Sequence, residues 1–505
     1  MTLQNLLDAV DIDAEVLGRP DVTITGLAAD SRRVQAGDLF FALVGQHEDA
    51  HRFVPDAVAR GAAAVVAARV EPTWAGMVPV VVSSDVRRCL ALMAAYFHGD
   101  PSRQLAAIAV TGTNGKTSVT YLVEAMWEAQ GIPAGVVGTV NCRHGGQLRP
   151  ATLTTPEALD LHAELAAMVG AGVKAVAVEV SSHALALERV RGCHWDVAVF
   201  TNLSHDHLDF HGDLETYYRV KASLFLDHLA GSAKPDPVAV INVDDPFGAR
   251  LARAVTCRLL TFGRDLSATV HPVELDQKLD GIRGTLWADG ERVVVASSLV
   301  GEQNVYNLMA AVGAAYGIGV PRGAIEAGIR RCAAVPGRLE RIGKERDFSV
   351  FVDYAHTPHA MESALAALRS MSNGRILTVF GCGGDRDRAK RPLMGAIAAR
   401  LSDVVVLTSD NPRTEDPHAI LREIEAGIRE TDLARVDIGT LAAGGHGYTS
   451  DPDRRRAIRL ALRLAHQGDI VLVAGKGHED YQIVGSERRP FDDRAEVRRL
   501  LDEVP

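Results

Sequence analysis

The run IAVTGTNGKTSVTYL, residues 108–122, places an apolar stretch, a glycine-rich turn and an amphipathic segment in direct succession. That order points successive backbone N–H groups and the start of a helix at an anion, and phosphate is the anion it suits. Gly112, Thr113, Asn114, Gly115, Lys116, Thr117 and Ser118 would form the cradle, with Lys116 adding a positive charge and Thr117 offering its hydroxyl to Mg²⁺. The general pattern G-x-x-x-x-G-K-[ST] is not met, because Val110 stands where its first glycine belongs; the form present is the shorter G-T-N-G-K-T. A turn needed only to pack a strand on a helix would account for the glycines but leave the lysine unexplained.

Other polar groups sit where phosphate chemistry needs them. Glu179 ends the apolar run KAVAVEVSSH, and TNLSHDHLDFHG (201–212) supplies Asn202, His205, Asp206, His207, Asp209 and His211. Mg²⁺ prefers oxygen, which makes the glutamate the better ligand and histidine the less usual one. From spacing alone the His/Asp loop reads equally as a zinc site or as a polar loop with no metal. Further on, Arg413 in SDNPRTEDP follows an apolar run and could grip a carboxylate in a two-point fork; the alternative is an Asp/Asn-Pro turn with a surface arginine. Lys221 in YYRVKASLF reads, by itself, as a solvated helix lysine.

These groups must be positioned by the elements around them. Short runs of valine, isoleucine and alanine recur and stop at small or polar residues: LAAIAVTGTNG, KAVAVEVSSH, DVAVFTNLSHDH and PVAVINVDD, then RILTVFGCGGDRD, DVVVLTSDNPR and DIVLVAGKGHED. Such runs read as strands buried on both faces. After the glycine turn, Val119, Leu122, Val123, Met126 and Trp127 mark one face of a helix, with Gly131 as its C-cap. Strand, helix, strand is the repeating unit, so the sheets are expected to be parallel, with ligands beyond the strands' carboxyl ends. A hairpin turning at Asp289-Gly290 closes the middle part, and AAVPGRLERIG (333–343) is the expected linker. The expected fold is α/β with three domains: a small N-terminal α/β domain (1–100), a central P-loop ATPase-like domain with a mostly parallel sheet (101–335), and a C-terminal Rossmann-like α/β domain (336–505).

The totals agree. A chain of 505 residues, 47% hydrophobic and 23% charged with a mean hydropathy of +0.03, fits neither disorder nor membrane residence. A net charge of −10 gives no global reason to bind nucleic acid or an anionic membrane. Cys89, Cys142, Cys193, Cys257, Cys332 and Cys382 are scattered, as reduced thiols of a cytoplasmic protein would be. The acidic N-terminal stretch lacks the basic residues of a signal peptide, and no apolar run approaches the ~20 residues that span a bilayer. A cytoplasmic monomer is expected.

GTNGKT, EVSSHAL, TNLSHDHLDFHG, PGRLE, DYAHTP and GCGGDRD occur in this order, and together they resemble the Mur ligases, ATP-dependent amide-forming enzymes of peptidoglycan precursor assembly. With SDNPRTEDP and AGKGHEDYQ, the resemblance is strongest to the members that add diaminopimelate to UDP-MurNAc-L-Ala-D-Glu, and it covers essentially the whole chain. It implies that the γ-phosphate of ATP goes to a carboxylate, giving an acyl phosphate that an amine then attacks. It also implies a catalytic set of Lys116, His207 and Lys221, with Lys221 carbamylated by CO₂, and Mg²⁺ held by Thr117, Glu179, His207 and Lys221.

By the same resemblance Asn304, Asn307, Arg338 and His356 are nucleotide contacts, although helix capping would also explain the two asparagines. Ser31, with Gln46 and His47, belongs to the uracil pocket, and Thr154, Thr155, Ser181 and Arg189 to the rest of the UDP-substrate. Arg386, Asp410, Asn411, Pro412, Arg413, Gly475 and Glu479 are the implied diaminopimelate contacts. One departure is Leu187, where the family commonly has glutamine. The choice between meso and LL stereoisomers stays open in the sequence, with meso expected. Rival readings are another amide ligase of the superfamily, such as a folylpolyglutamate synthetase, and a P-loop switch ATPase.

Overall fold

The computed structural model describes residues 1–45, 48–343 and 346–503. Its architecture is α/β, with a separate sheet for each third of the chain. In the N-terminal sheet Gly26–Ala28, Asp38–Phe41, Ala64–Ala67 and Val80–Val82 run parallel, and Glu15–Leu17 joins one edge antiparallel.

The phosphate-loop strand, Ala106–Thr111, lies between Ala175–Glu179 and Val197–Phe200. Ala134–Val137 continues the parallel sheet on one side, and Val238–Asn242 and Arg258–Phe262 on the other. Four of these strands are buried along nearly their whole length, which is why they read as unbroken apolar runs rather than alternating ones. The register sets Glu179 opposite Val110 and Phe200 opposite Thr111, so the polar groups that follow all emerge at one edge of the sheet.

The helix after the loop spans Lys116–Gln130 and buries Val119, Leu122, Val123, Met126 and Trp127, with Gly131 at φ +79° as C-cap. Strands Gly281–Ala288 and Glu291–Ser297 flank Asp289 and Gly290, whose φ values of +46° and +92° are those a two-residue hairpin turn demands.

In the C-terminal sheet Ser349–Asp353, Ile470–Ala474, Ile376–Phe380, Val404–Leu407 and Gly447–Ser450 lie side by side and parallel. Alternate residues feed two separate cores: Phe351, Phe380, Leu407 and Leu472 on one face, Val352, Val379, Val406 and Val473 on the other. That is the doubly wound arrangement. The expected linker is more than a linker, since Glu340–Ile342 forms the antiparallel edge of this sheet. Its neighbour Leu339 donates its N–H to Asp353 Oδ2 at 2.7 Å, which ties the segment down.

Compactness divides the chain into two units: Met1–His271 with Trp287–Glu291 and Asn307–Gly328, and Pro272–Leu286 with Arg292–Tyr306 and Ile329–Pro505. The N-terminal sheet shares the first unit with the phosphate loop, because Ala158 and Leu159 at the start of a central helix pack into the N-terminal core. Among the described residues no helix is long and apolar enough to cross a membrane.

Candidate active site

The loop Gly112–Gly115 is fastened to the end of the neighbouring strand. Thr113 N donates to Asn202 O at 2.9 Å and Asn114 N to Asn202 Oδ1 at 2.9 Å, while Thr201 Oγ1 donates to Asn114 O at 2.6 Å. Gly112 has φ +145° and faces Thr201 so closely that a Cβ would collide with its hydroxyl; Gly115, at φ +90°, is equally close to Asn307. Two glycines are therefore required by space as well as by backbone conformation. Lys116 Nζ bends back over the loop, donating to Gly112 O at 2.8 Å and Thr113 O at 2.9 Å, and Thr117 and Ser118 are buried in the first helical turn.

Glu179 is the node of the first unit. Its carboxylate is 1% exposed and accepts from Thr117 Oγ1 at 3.0 Å, Thr139 N at 2.9 Å and Thr139 Oγ1 at 2.8 Å. Thr154 Oγ1 lies 3.1 Å from that of Thr139, Thr155 Oγ1 donates to Glu179 O at 2.8 Å, and Ser181 N donates to Thr155 Oγ1 at 3.0 Å. Arg189 donates to Thr155 O at 3.1 Å and pairs with Glu157 at 2.6 Å. The structure thus gathers Thr154, Thr155, Ser181 and Arg189 about the end of the strand that carries Glu179. A cleft of about 1110 Å³ in the same unit is lined by Ser31, Arg33, Phe53, Phe97, Asp160 and Leu187, among others. Gln46 and His47 lie outside the described residues.

Lys221 is not the solvated lysine its helical position suggests. The helix Leu214–Ser223 buries Tyr217, Tyr218, Lys221 and Ala222 on one face, leaving Lys221 1% exposed with Nζ 2.9 Å from Gly112 O and 4.6 Å from the Tyr217 ring centre. Burial, and then the neighbouring charge of Lys116, hold its amine well below the usual lysine range. A six-residue π-helical stretch, Leu224–Leu229, follows at once, a distortion common beside functional sites. His207 has φ +52° and is half exposed, 3.5 Å from Asp206 Oδ2 and 6.5 Å, ring to ring, from Tyr217.

The donor set fits the groups the sequence implies. A buried carboxylate touching a threonine hydroxyl suits a hard cation such as Mg²⁺, and burial disfavours the charged form of the Lys221 amine, which must lose its proton to combine with CO₂. Among the described residues no three His, Cys, Asp or Glu side chains converge as a metal cluster. Glu179 and His207 would therefore need Thr117, a carbamate on Lys221 and substrate or water oxygens to complete a coordination sphere.

In the second unit, Asn304 donates to Val300 O at 2.8 Å, and the Arg338 guanidinium lies 5.0 Å from the Tyr354 ring centre. His356 Nδ1 is 2.8 Å from Tyr354 O, and burial holds its ring below the usual histidine range. The implied amino-acid contacts surround two glycines. A Cβ on Gly383 would meet Arg413 Nη1 at 3.0 Å, Arg386 Cγ at 3.7 Å and Asp410 Oδ2 at 3.7 Å; the Pro412 carbonyl abuts Gly384. Arg413 holds φ +52°, unusual for a residue with a side chain, and its Nη1 donates to Gly384 O at 2.7 Å. Asn411 Nδ2 donates to Glu479 Oε2 at 3.0 Å, and Gly475, at φ +113°, has Asp410 Oδ1 3.8 Å from where a Cβ would stand.

Three family descriptions match the chain: "Mur ligase family, catalytic domain" at residues 23–98, "Mur ligase middle domain" at 110–315, and "Mur ligase, glutamate ligase domain" at 337–477. The UDP-N-acetylmuramoyl-L-alanyl-D-glutamate--2,6-diaminopimelate ligase of Geobacter metallireducens is 46% identical over 507 residues, covering 100% of this chain and 99% of that one. The chain belongs to the Mur ligase family. The ligase of the same name from Gloeobacter violaceus is 47% identical, covering 99% of this chain and 98% of its own. A solved structure of a ligase of that name superposes with a TM-score of 0.72 at 35% identity, covering 100% and 99% of the two chains. MurF from Acinetobacter baumannii shares the fold at 21% identity, with a TM-score of 0.63 and 94% and 95% coverage.

In this Mur ligase three site-adjacent residues receive no role from the sequence, although Asp353 stands in DYAHTP and Lys476 in AGKGHEDYQ. Thr139 carries two of the bonds to Glu179 yet ends an unremarkable VVGT run. Asp353 accepts from Leu339 N and Ala355 N, and burial pushes its carboxyl up although Arg338 opposes the shift. Lys476 lies among the Asp410, Asn411 and Glu479 side chains. All three stand at carboxyl ends of strands, the signal that could have found them.

Proposed function

We propose that this Mur ligase couples ATP to formation of an amide between the γ-carboxyl of D-glutamate in UDP-MurNAc-L-Ala-D-Glu and an amine of diaminopimelate, the meso isomer, in peptidoglycan precursor synthesis. The full-length similarity to ligases named for this reaction supports it. The observation that carries the choice of amino acid is the ring of Arg413, Arg386 and Asp410 around Gly383. Diaminopimelate differs from lysine by a carboxylate on the far carbon, and a guanidinium can hold that group in a two-point fork.

A carboxylate is a poor electrophile, so condensation in water is uphill until its oxygen becomes a leaving group. Phosphorylation by ATP makes it one, and the deprotonated amine then attacks with loss of phosphate. Negative charge accumulates throughout, and fixed positive charge must meet it. Lys116, at the head of a helix whose N–H groups face the same place, supplies that charge from the chain. Mg²⁺ held by Thr117, Glu179, His207 and a carbamate on Lys221 would neutralise phosphate charge and polarise the transferring group. Asn304, Asn307, Arg338 and His356 are assigned to the nucleotide, and Ser31, Thr154, Thr155, Ser181 and Arg189 to the UDP-substrate. The acidic net charge and scattered cysteines support a cytoplasmic protein with no nucleic-acid or membrane partner, and a monomer is the proposed state.

The test supplies UDP-MurNAc-L-Ala-D-Glu and ATP and follows phosphate release with meso-diaminopimelate, LL-diaminopimelate or L-lysine. Turnover with meso-diaminopimelate is expected to exceed that with lysine by about 10⁴-fold in kcat/KM, because lysine leaves Arg413 unpaired. Equal use of lysine contradicts the specificity. ATP hydrolysis that ignores both acceptors would favour a switch ATPase instead.

A further inference from the structure

Lys476 follows the strand Ile470–Ala474 and is fully buried. Its Nζ donates to Asn411 Oδ1 at 3.2 Å and to Glu479 Oε2 at 2.9 Å, and lies 3.8 Å from Asp410 Oδ1. Asn411 Oδ1 also accepts from Ile483 N at 2.9 Å, so its amide can face only one way, with Nδ2 donating to Glu479 Oε2. Both side-chain bonds to Glu479 therefore end on the same oxygen, and Oε1 is not used by either. Asp410 Oδ1 is buried and, among the described residues, has no hydrogen-bond partner. It faces Gly475, lying 3.8 Å from where a Cβ on that residue would stand. A buried acceptor in that state is a place where a donor belongs.

We propose that Lys476 is a positioning residue for the amino-acid substrate: by occupying Asn411 Oδ1 and Glu479 Oε2 it reserves Asp410 Oδ1 and Glu479 Oε1 for one ammonium group, while Arg413 takes the carboxylate on the same carbon. The inference rests on the reading that this loop set receives diaminopimelate. Charge complementarity favours it: with Lys476 set against Asp410 and Glu479, an acceptor side remains for an ammonium, and Arg413 and Arg386 beside Gly383 offer cations for a carboxylate. Arg454, on which the charges of Asp410 and Glu479 also act, is already paired with Asp493 at 2.7 Å and donates to Ala474 O, so it cannot replace Lys476.

Steady-state kinetics of the full-length enzyme and its Lys476→Met and Lys476→Gln variants test this. Lys476→Met is expected to raise KM for meso-diaminopimelate roughly 30-fold, and Lys476→Gln, which keeps one donor for Asn411 or Glu479, to raise it less. KM for ATP should stay near wild type and kcat within a few-fold, while the melting temperature falls because a buried charge pair is broken. Diaminopimelate KM within two-fold of wild type in both variants overturns the proposal. So do parallel losses in every substrate, or failure of both variants to fold, since either assigns the lysine to stability alone. A wild-type enzyme that ignores diaminopimelate overturns the functional reading itself, and this inference with it.

Discussion

Two ammonium groups converge on one carbonyl oxygen: Lys116 Nζ and Lys221 Nζ stand 2.8 and 2.9 Å from Gly112 O. Two charged amines so close, one of them fully enclosed, repel each other, and the enclosed one is the cheaper to neutralise. That makes Lys221 a receptive amine for CO₂, and the resulting anion would sit against Lys116 without repulsion. Lys221→Ala is expected to lower kcat about 10³-fold, with partial recovery in formate or acetate. Labelled bicarbonate should give a carbamate resonance in the wild type that this variant lacks; near-normal turnover of the variant without added acid contradicts the assignment. Lys116 was legible because its spacing from two glycines has one physical use, whereas a lysine inside YYRVKASLF carries no mark of its burial. It is buried on the helix face it shares with Tyr217, Tyr218 and Ala222, with the Tyr217 ring 4.6 Å from its Nζ.

Strands that end at chemistry were legible as elements, because burial on both faces leaves an apolar run that stops where the ligand edge begins. The segment 333–343 was not, since PGRLERIG has too few apolar residues to announce a strand. It pairs through Glu340–Ile342 because Gly337 lets it approach. Gly337 holds φ +66° and lies so close to the backbone of Gly477 and His478 that a Cβ has no room, while its carbonyl accepts from Tyr354 N at 2.8 Å. Gly337→Ala is therefore expected to cost more than about 2 kcal/mol in urea unfolding and to raise KM for diaminopimelate by displacing the loop of Lys476 and Glu479. Gly146→Ala, at φ +79° in an open hairpin turn with nothing nearby, should cost about 1 kcal/mol and leave KM unchanged. Equal effects of the two would contradict the close-approach argument. The left-handed conformations of His207 and Arg413 were invisible in sequence for a related reason: neither is glycine, and strain at a site is imposed by its surroundings.

At the scale of the whole molecule, a parallel sheet collects its loops at one edge, so residues from distant parts of the chain meet without any long-range signature in sequence. Glu179, Thr117 and Thr139 do so in the first unit, as do Asp410, Asn411 and Glu479 in the second. The division into units was less legible than the sheets, because the N-terminal core borrows Ala158 and Leu159 from a helix of the middle third. What this architecture is proposed to accomplish is one chemical event, the transfer of the γ-phosphate to an acid before the amine arrives. The direct test labels the D-glutamate γ-carboxyl of UDP-MurNAc-L-Ala-D-Glu with heavy oxygen and runs the reaction to completion with ATP and meso-diaminopimelate. The account predicts one labelled oxygen in each phosphate released; amide product accompanied by unlabelled phosphate would contradict it.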